Sequence, residues 1–317
     1  MKKILLTGGG GYIGSYLLTK YFSNKEEYNV VCLDHGKSYD KLEKLVGENV
    51  ELVRGDILDY GLVAKLISDT NIVIHLAGNR GEAKTLENLE QSKKTSVDGA
   101  RNLVLQVKKN NVDKFIFSSS YIAYSTFLKR DMPLKETDKL FPDDNYGTLK
   151  AEAEREIIGS RVPYIIIRVS NIYGTGSGTR EGAQSVVDKF IGSAYYDGEI
   201  NVFGDGKQGI DFLHIDDLCE AILKIIEYSE TEKIYNIGSG EIERVIDIAE
   251  AVKKSFGEFG IGNVKINCIP APKNKIWPNK WMSIEKIFQE FRWKPETSLY
   301  EGVKKTTENF LKDRRGI

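Results

Sequence analysis

The chain is poor in the residues that staple a fold or hold a metal. Its three cysteines, Cys32, Cys219 and Cys268, stand far apart with no CxxC pair, and its three histidines are equally scattered. So odd and sparse a set argues against a disulfide framework and against a zinc site, and no metal is expected. Neither sign of charge dominates. Lysine and arginine number 45 against 46 aspartates and glutamates, a formal net charge of −1. That balance gives no electrostatic reason to expect nucleic acid or an anionic membrane as partner. Long apolar runs are also missing, since none approaches the roughly 18 residues of a membrane span. The opening MKKILLTGGGG is charged at first, but its apolar run ends after Ile4, Leu5 and Leu6, short of the about 7–15 residues of a signal-peptide core. A cytoplasmic protein is expected, with Cys32, inside VVCL, as a small core residue.

What is present is a recurrence of short apolar runs: KKILLT (2–7), YNVVCLD (28–34), VELVRGD (50–56), IVIHLAG (72–78), KFIFSSS (114–120) and YIIIRVS (164–170). Each is rich in Val, Ile and Phe and too short for a helix. Amphipathic stretches such as SVDGARNLVLQVKKN lie between them. Alternating strands and helices predict βαβ units and a parallel sheet with right-handed crossovers. The second half differs: it is rich in glycine, and four of the seven prolines crowd between Pro270 and Pro295. Helical patterns recur near 183–197, 216–228, 243–255 and 298–312. The expected fold is α/β: a Rossmann-type doubly wound parallel sheet over 1–171, joined by about 207–237, with a smaller C-terminal α/β substrate domain from 172–206 and 238–317 and the active site between them.

The first strand runs into TGGGGYIG, residues 7–14. Gly8, Gly11 and Gly14 follow a strand and open a helix, the context a dinucleotide site requires. There glycines permit a tight turn, and the helix start, with Tyr12 and Ile13, favours a pyrophosphate. Twenty residues after Gly14, the second strand ends in Asp34, followed by His35. A carboxylate there accepts from ribose hydroxyls and repels a 2′-phosphate. With no arginine alongside and Lys37 the nearest cation, NAD is favoured over NADP. Asp56 and Ile57 follow the third strand, where Asp56 is expected to meet the adenine amino group. Leu76, Ala77 and Gly78 end the fourth, and Ser118, Ser119 and Ser120 end the fifth. Ligands bind at such carboxyl ends. After an irregular stretch comes YGTLK, placing Tyr146 and Lys150 one helical turn apart, with Asp143, Asp144 and Asn145 as candidate caps.

Taken together these segments resemble the extended short-chain dehydrogenase/reductases of the nucleotide-sugar epimerase/dehydratase group. RVSNIYG (168–174), DFLHIDDL (211–218), YNIGSG (235–240) and WKPETSLYEGV (293–303) are similar to later segments of that family. The resemblance implies Ser120, Tyr146 and Lys150 as the catalytic set, Tyr146 and Lys150 also holding the cofactor and Ser120 the substrate. A free tyrosine, with pKa about 10, is a poor base at neutral pH, and a neighbouring ammonium favours its phenolate. The resemblance further implies a nucleotide-diphosphate sugar substrate, Asn171 as its diphosphate contact, and a homodimer through helices near 86–110 and 146–159.

Residues after the catalytic serine bear on the reaction. The dehydratases carry an Asp–Glu pair there and the decarboxylases a nearby Glu; this chain has Tyr121 and Ile122. The expectation is 4-epimerisation, with a 4-keto-sugar reductase as alternative and a catalytically silent dinucleotide sensor third. The chain departs from the family at Ile210, where a diphosphate-gripping arginine is usual, in PAPKNKIWPNK, which has no arginine, and at Ser96, where asparagine is common. Arg180, Lys207, Lys273, Lys275 and Lys280 are substitute cations, although lysine lacks arginine's bidentate fork. His214 and Asp216 are expected to orient a crossing rather than to act chemically. Trp277 and Trp281 are read as core ahead of sugar pocket.

Overall fold

Six strands pair in parallel: β1 (Lys2–Thr7), β2 (Tyr28–Asp34), β3 (Val50–Arg54), β4 (Ile72–His75), β5 (Lys114–Ser120) and β6 (Tyr164–Val169). A seventh, Lys233–Ile237, lies beside β6, giving the order Lys233–Ile237, β6, β5, β4, β1, β2, β3. The computed structural model describes residues 1–23, 25–36, 39–78, 85–125, 131–176, 185–272 and 278–315. Lys37, Arg180, Lys273, Lys275 and Trp277 lie outside them.

The strands carry apolar residues on both faces because helices cover both. Leu5, Val31, Val73, Phe115 and Ile166 pack on one face against Val63, Leu66, Leu103, Val104, Ala153 and Ile157. Their alternate neighbours, Ile4, Val30, Ile72, Ile116 and Ile165, are also buried, as period-two side chains of a doubly covered sheet must be. Each such side chain contributes roughly 1.5–3 kcal/mol by burial. β3, β4 and β6 stop one to three residues earlier than their apolar runs. Gly55 and Leu76 each keep one backbone bond to the neighbouring strand, to the Asp34 and Thr7 carbonyls, and with Ala77 and Gly78 they line a cavity.

Chain order reverses at β1. β2 and β3 are added on one side and β4 on the other, with Thr7 in register with His75. This is the switch point at which doubly wound sheets open a crevice.

The chain divides into two compact units. The first comprises Met1–Thr126, Thr137–Val169 and Ile222–Tyr235, the second Phe127–Glu136, Ser170–Ala221 and Asn236–Ile317. The second is built from helices Val186–Tyr196, Val245–Glu258 and Leu299–Arg315 around Val187, Ile191, Ile200, Ile248 and Phe256. Three two-stranded ladders accompany them: Asn171–Tyr173 with Phe212–His214, Gly209–Ile210 with Glu243–Arg244, and Glu199–Phe203 with Lys265–Ile269. Through the first two, residues 209–214 belong with this unit. Asp216 there pairs with Lys305 and approaches buried His214 at 3.5 Å, and Asp217 accepts from the amides of Glu296 and Thr297. Trp281 is half-buried, its carbonyl accepting from the Leu134 amide. Among the described residues no helix is long and apolar enough to cross a membrane.

His75, at the end of β4, is completely buried, with Nδ1 2.8 Å from Thr7 Oγ1. Burial, helped by the charge of Lys150, pushes its pKa down to about 3 from 6.5. Between those values the unfolded chain binds a proton that the folded chain refuses. Stability is therefore present above pH 6.5 and lost as pH falls toward 3, at about 1.4 kcal/mol per unit within the window. His75→Gln should flatten this acid loss. The check is the urea midpoint of both proteins at pH 6.5 and 4.5, and equal losses would show that His75 does not set the slope.

Candidate active site

A cavity of about 570 Å³ opens at the carboxyl ends of β1, β2, β4 and β5, all within the first unit. Its floor is backbone. Gly8 has φ +79°, and a Cβ there would fall 2.5 Å from the amide nitrogen of Ala77. A Cβ on Gly14 would fall 2.5 Å from the carbonyl oxygen of Gly8, and one on Gly9 2.2 Å from Cys32 Sγ. Glycine is thus required by close approach, and at Gly8 by its positive φ as well. Gly11 begins the helix Tyr12–Tyr16 and supplies no side-chain cap, so the first-turn amides at the cavity wall face a space suited to an anion.

Asp34 is held in place by its neighbours. Its Oδ2 accepts from the Gly10 amide at 2.9 Å and its Oδ1 from the Gly36 amide at 2.5 Å. Each oxygen retains lone pairs for a further donor. Gly8, Gly11, Tyr12, Ile13, Gly14, Asp34, His35, Ile57, Leu76, Ala77, Gly78, Ser118, Tyr146 and Lys150 all line the cavity. Asp56 is not among the lining residues; its Oδ1 accepts from the Leu58 amide at 2.9 Å. Gly10, Leu33, Gly36, Gly55, Gln91 and Thr95 line it as well and were missed by sequence reasoning. Gln91 and Thr95 are one helical turn apart and touch at 3.4 Å, a spacing that was available but that no local motif singled out.

Tyr146 and Lys150 ride on the helix Asn145–Ser160. Of the three candidate caps, Asp144 takes the role, accepting from the Gly147 amide at 2.6 Å. Ser120 closes β5; its hydroxyl accepts from the Ile122 amide at 3.3 Å and is hydrogen-bonded to Tyr146. It is therefore both strand-end cap and tyrosine partner, and it is not itself among the lining residues. Lys150 is buried, with Nζ donating to the Ser118 carbonyl at 2.7 Å and lying 5.9 Å from the Tyr146 ring centre. Burial pushes the Tyr146 phenol up to about 12, against the lowering influence of its Ser120 hydrogen bond. Burial brings the Lys150 ammonium down to about 8, against support from Glu154. Both groups are driven toward neutrality because the charged forms are poorly solvated.

Asn171 belongs to the second unit, where its Nδ2 donates to the Asp211 carbonyl at 3.1 Å. Of the substitute cations described, Lys207 is exposed and paired with Asp205, whereas Lys280 is buried and bridges Ile210 through the backbone. Ser96 is buried, and its Oγ would lie 3.7 Å from a Cβ built on Gly78. No group of three or more potential metal ligands occurs among the described residues.

Residues 4–238 match the NAD dependent epimerase/dehydratase family. The chain belongs to that family. It is 29% identical, over 98% of both chains, to a Methanocaldococcus jannaschii protein provisionally named UDP-glucose 4-epimerase. It is 28% identical to the mouse dTDP-D-glucose 4,6-dehydratase, covering 98% of this chain and 89% of that one. The crystal structure of the UDP-glucose 4-epimerase of Thermotoga maritima with UDP-glucose superposes with a TM-score of 0.85, at 28% identity, covering 98% of this chain and 99% of that one.

This epimerase/dehydratase-family chain fits the family's NAD on its own geometry: a side-chain-free floor, an uncapped helix start and a carboxylate fixed at the end of β2. Gly8→Ala should cost about 1–3 kcal/mol in strain and weaken NAD binding at least tenfold, read by thermal melting and by calorimetric titration with NAD. Gly159→Ala, in the last turn of the helix Asn145–Ser160 where a Cβ meets nothing within 4 Å, should leave NAD binding unchanged and cost no stability. Undiminished NAD binding by a folded Gly8→Ala protein would refute the role given to the Gly8–Ala77 approach.

Proposed function

We propose that the protein is a nucleotide-sugar 4-epimerase acting on a nucleotide-diphosphate sugar. Bound NAD would supply the acceptor for the C4 hydride and, once the 4-keto sugar has turned over, the donor that returns it to the opposite face. Tyr146 Oη takes the C4 hydroxyl proton and later gives it back. Ser120, hydrogen-bonded to Tyr146, orients the same sugar oxygen. Lys150, anchored on the Ser118 carbonyl, holds its ammonium one helical turn from Tyr146, where positive charge favours the phenolate. Asn171 is assigned to the diphosphate, and the enzyme is taken to be a cytoplasmic homodimer.

The observation that carries the reading is the pair of residues after Ser120. Tyr121 and Ile122 form a short 3₁₀ turn with Ala123 beside the tyrosine. Neither supplies a carboxyl group able to donate and accept a proton at neutral pH. Elimination of water and decarboxylation, which use such a group in the family, are disfavoured; removing the C4 hydroxyl proton and the C4 hydride needs, besides NAD as hydride acceptor, only Ser120, Tyr146 and Lys150.

The test is a panel of UDP-, dTDP-, GDP- and CDP-sugars assayed for C4 inversion without added cofactor. Wild type should invert at least one, and Tyr146→Phe should lose about 10²–10⁴-fold in turnover, the usual contribution of a positioned proton-transfer group. No inversion of any sugar, with oxidation of NADPH by a 4-keto sugar instead, would make the reductase reading correct.

A further inference from the structure

The end of β5 is tied to the helix Asn145–Ser160 by three successive serines. The Ser118 carbonyl accepts from Lys150 Nζ at 2.7 Å, the Ser119 hydroxyl donates to Glu154 Oε1, and the Ser120 hydroxyl pairs with Tyr146. On the helix, Tyr146, Lys150 and Glu154 are spaced by four, so they form one stripe facing the strand. Two of these three ties hold the proposed catalytic groups. The third ends on a group to which the chemistry gives no part.

Glu154 is 1% exposed and Arg168, on β6, is 3% exposed. Arg168 stands in register with Ser119. Its Nη2 donates to Glu154 Oε2 at 2.7 Å, its Nε reaches Oε1 at 3.1 Å, and its Nη1 donates to the Tyr124 hydroxyl at 2.8 Å. A buried ion pair is rarely the cheapest way to fill such space, since apolar residues of like volume are often as stable or more so. What the pair provides is geometric. The carboxylate is satisfied only when helix, β5 and β6 meet in one register, and a shift of the helix along the strand would break all three ties together.

We propose that Glu154, braced by Arg168, is a positioning residue for the proposed proton transfer. It fixes the height of the helix on β5, and its negative charge, one turn behind Lys150, keeps that lysine an ammonium. The proposal rests on the roles given above to Tyr146 and Lys150. The influence of Glu154, which works against the burial of Lys150, has the sign this requires. Removing it leaves burial unopposed, so Lys150 should surrender its proton at lower pH.

The experiment reads Lys150 directly. Competitive acetylation with acetic anhydride between pH 6 and 10, followed by peptide mass spectrometry, gives the titration midpoint of Lys150 in the protein without substrate. Glu154→Gln should lower that midpoint by about one pH unit, the scale of one nearby charge. Ser119→Ala should leave it unchanged. With whichever sugar the panel identifies, Glu154→Gln should lower kcat about tenfold, a modest loss of positioning, with KM within about twofold. The alkaline limb of kcat should move to lower pH in step with the Lys150 midpoint. Should Glu154→Gln fail to fold because Arg168 is left unpaired, Glu154→Leu/Arg168→Met removes both charges and should still lower the Lys150 midpoint, by less than Glu154→Gln because loss of the Arg168 cation works the other way. A folded variant lacking the Glu154 charge whose Lys150 titrates as in wild type overturns the proposal. If no sugar in the panel reacts, the epimerase reading fails, but the Lys150 midpoint still decides this one.

Discussion

The carboxyl ends of β1 and β4 lie side by side, and the turn after β1 must pass under the backbone after β4. With φ +79° at Gly8 and Ala77 within 2.5 Å of where a Cβ would sit, only glycine permits that passage. From this approach come the start of the helix at Tyr12, the bare floor of the cavity and the height at which Asp34 meets the Gly10 amide. Gly9, pressed on Cys32, and Gly14, pressed on Gly8, serve the same close packing. The crevice is made by atoms that are missing.

Electrostatics set the state of the chemistry. The surroundings of Tyr146 and Lys150 hold the phenol protonated and make the ammonium easier to lose. Neither effect by itself makes a base at neutral pH. Positive charge arriving at the cavity favours the phenolate, and Glu154 behind Lys150 opposes the loss of its proton.

An epimerase structure and a dehydratase share 28% identity with this chain. The shared frame therefore serves more than one reaction, and the reaction is decided by a few side chains set upon it. Tyr121 and Ile122 occupy a turn whose backbone is fixed by Ser120.

Much of the candidate site was legible because it is local. The glycine spacing, the acidic end of β2, the serines ending β5 and the Tyr146–Lys150 interval are short patterns whose backbone or helical consequences hold almost anywhere. The alternation of apolar runs similarly determined a parallel doubly wound sheet, since strands greasy on both faces need helices on both. Other features were decided only by the tertiary structure. Gln91 and Thr95 reach the cavity because their helix packs where it does, and Arg168 meets Glu154 because β6 aligns with β5 at Ser119. The Lys150 bond to a serine carbonyl leaves no mark on side-chain spelling, nor does the bond that Asp56 Oδ1 accepts from the Leu58 amide. The pKa values belong to this second class as well. A sequence names the ionisable groups, but burial and distance set their charge, and both are properties of the whole packed chain.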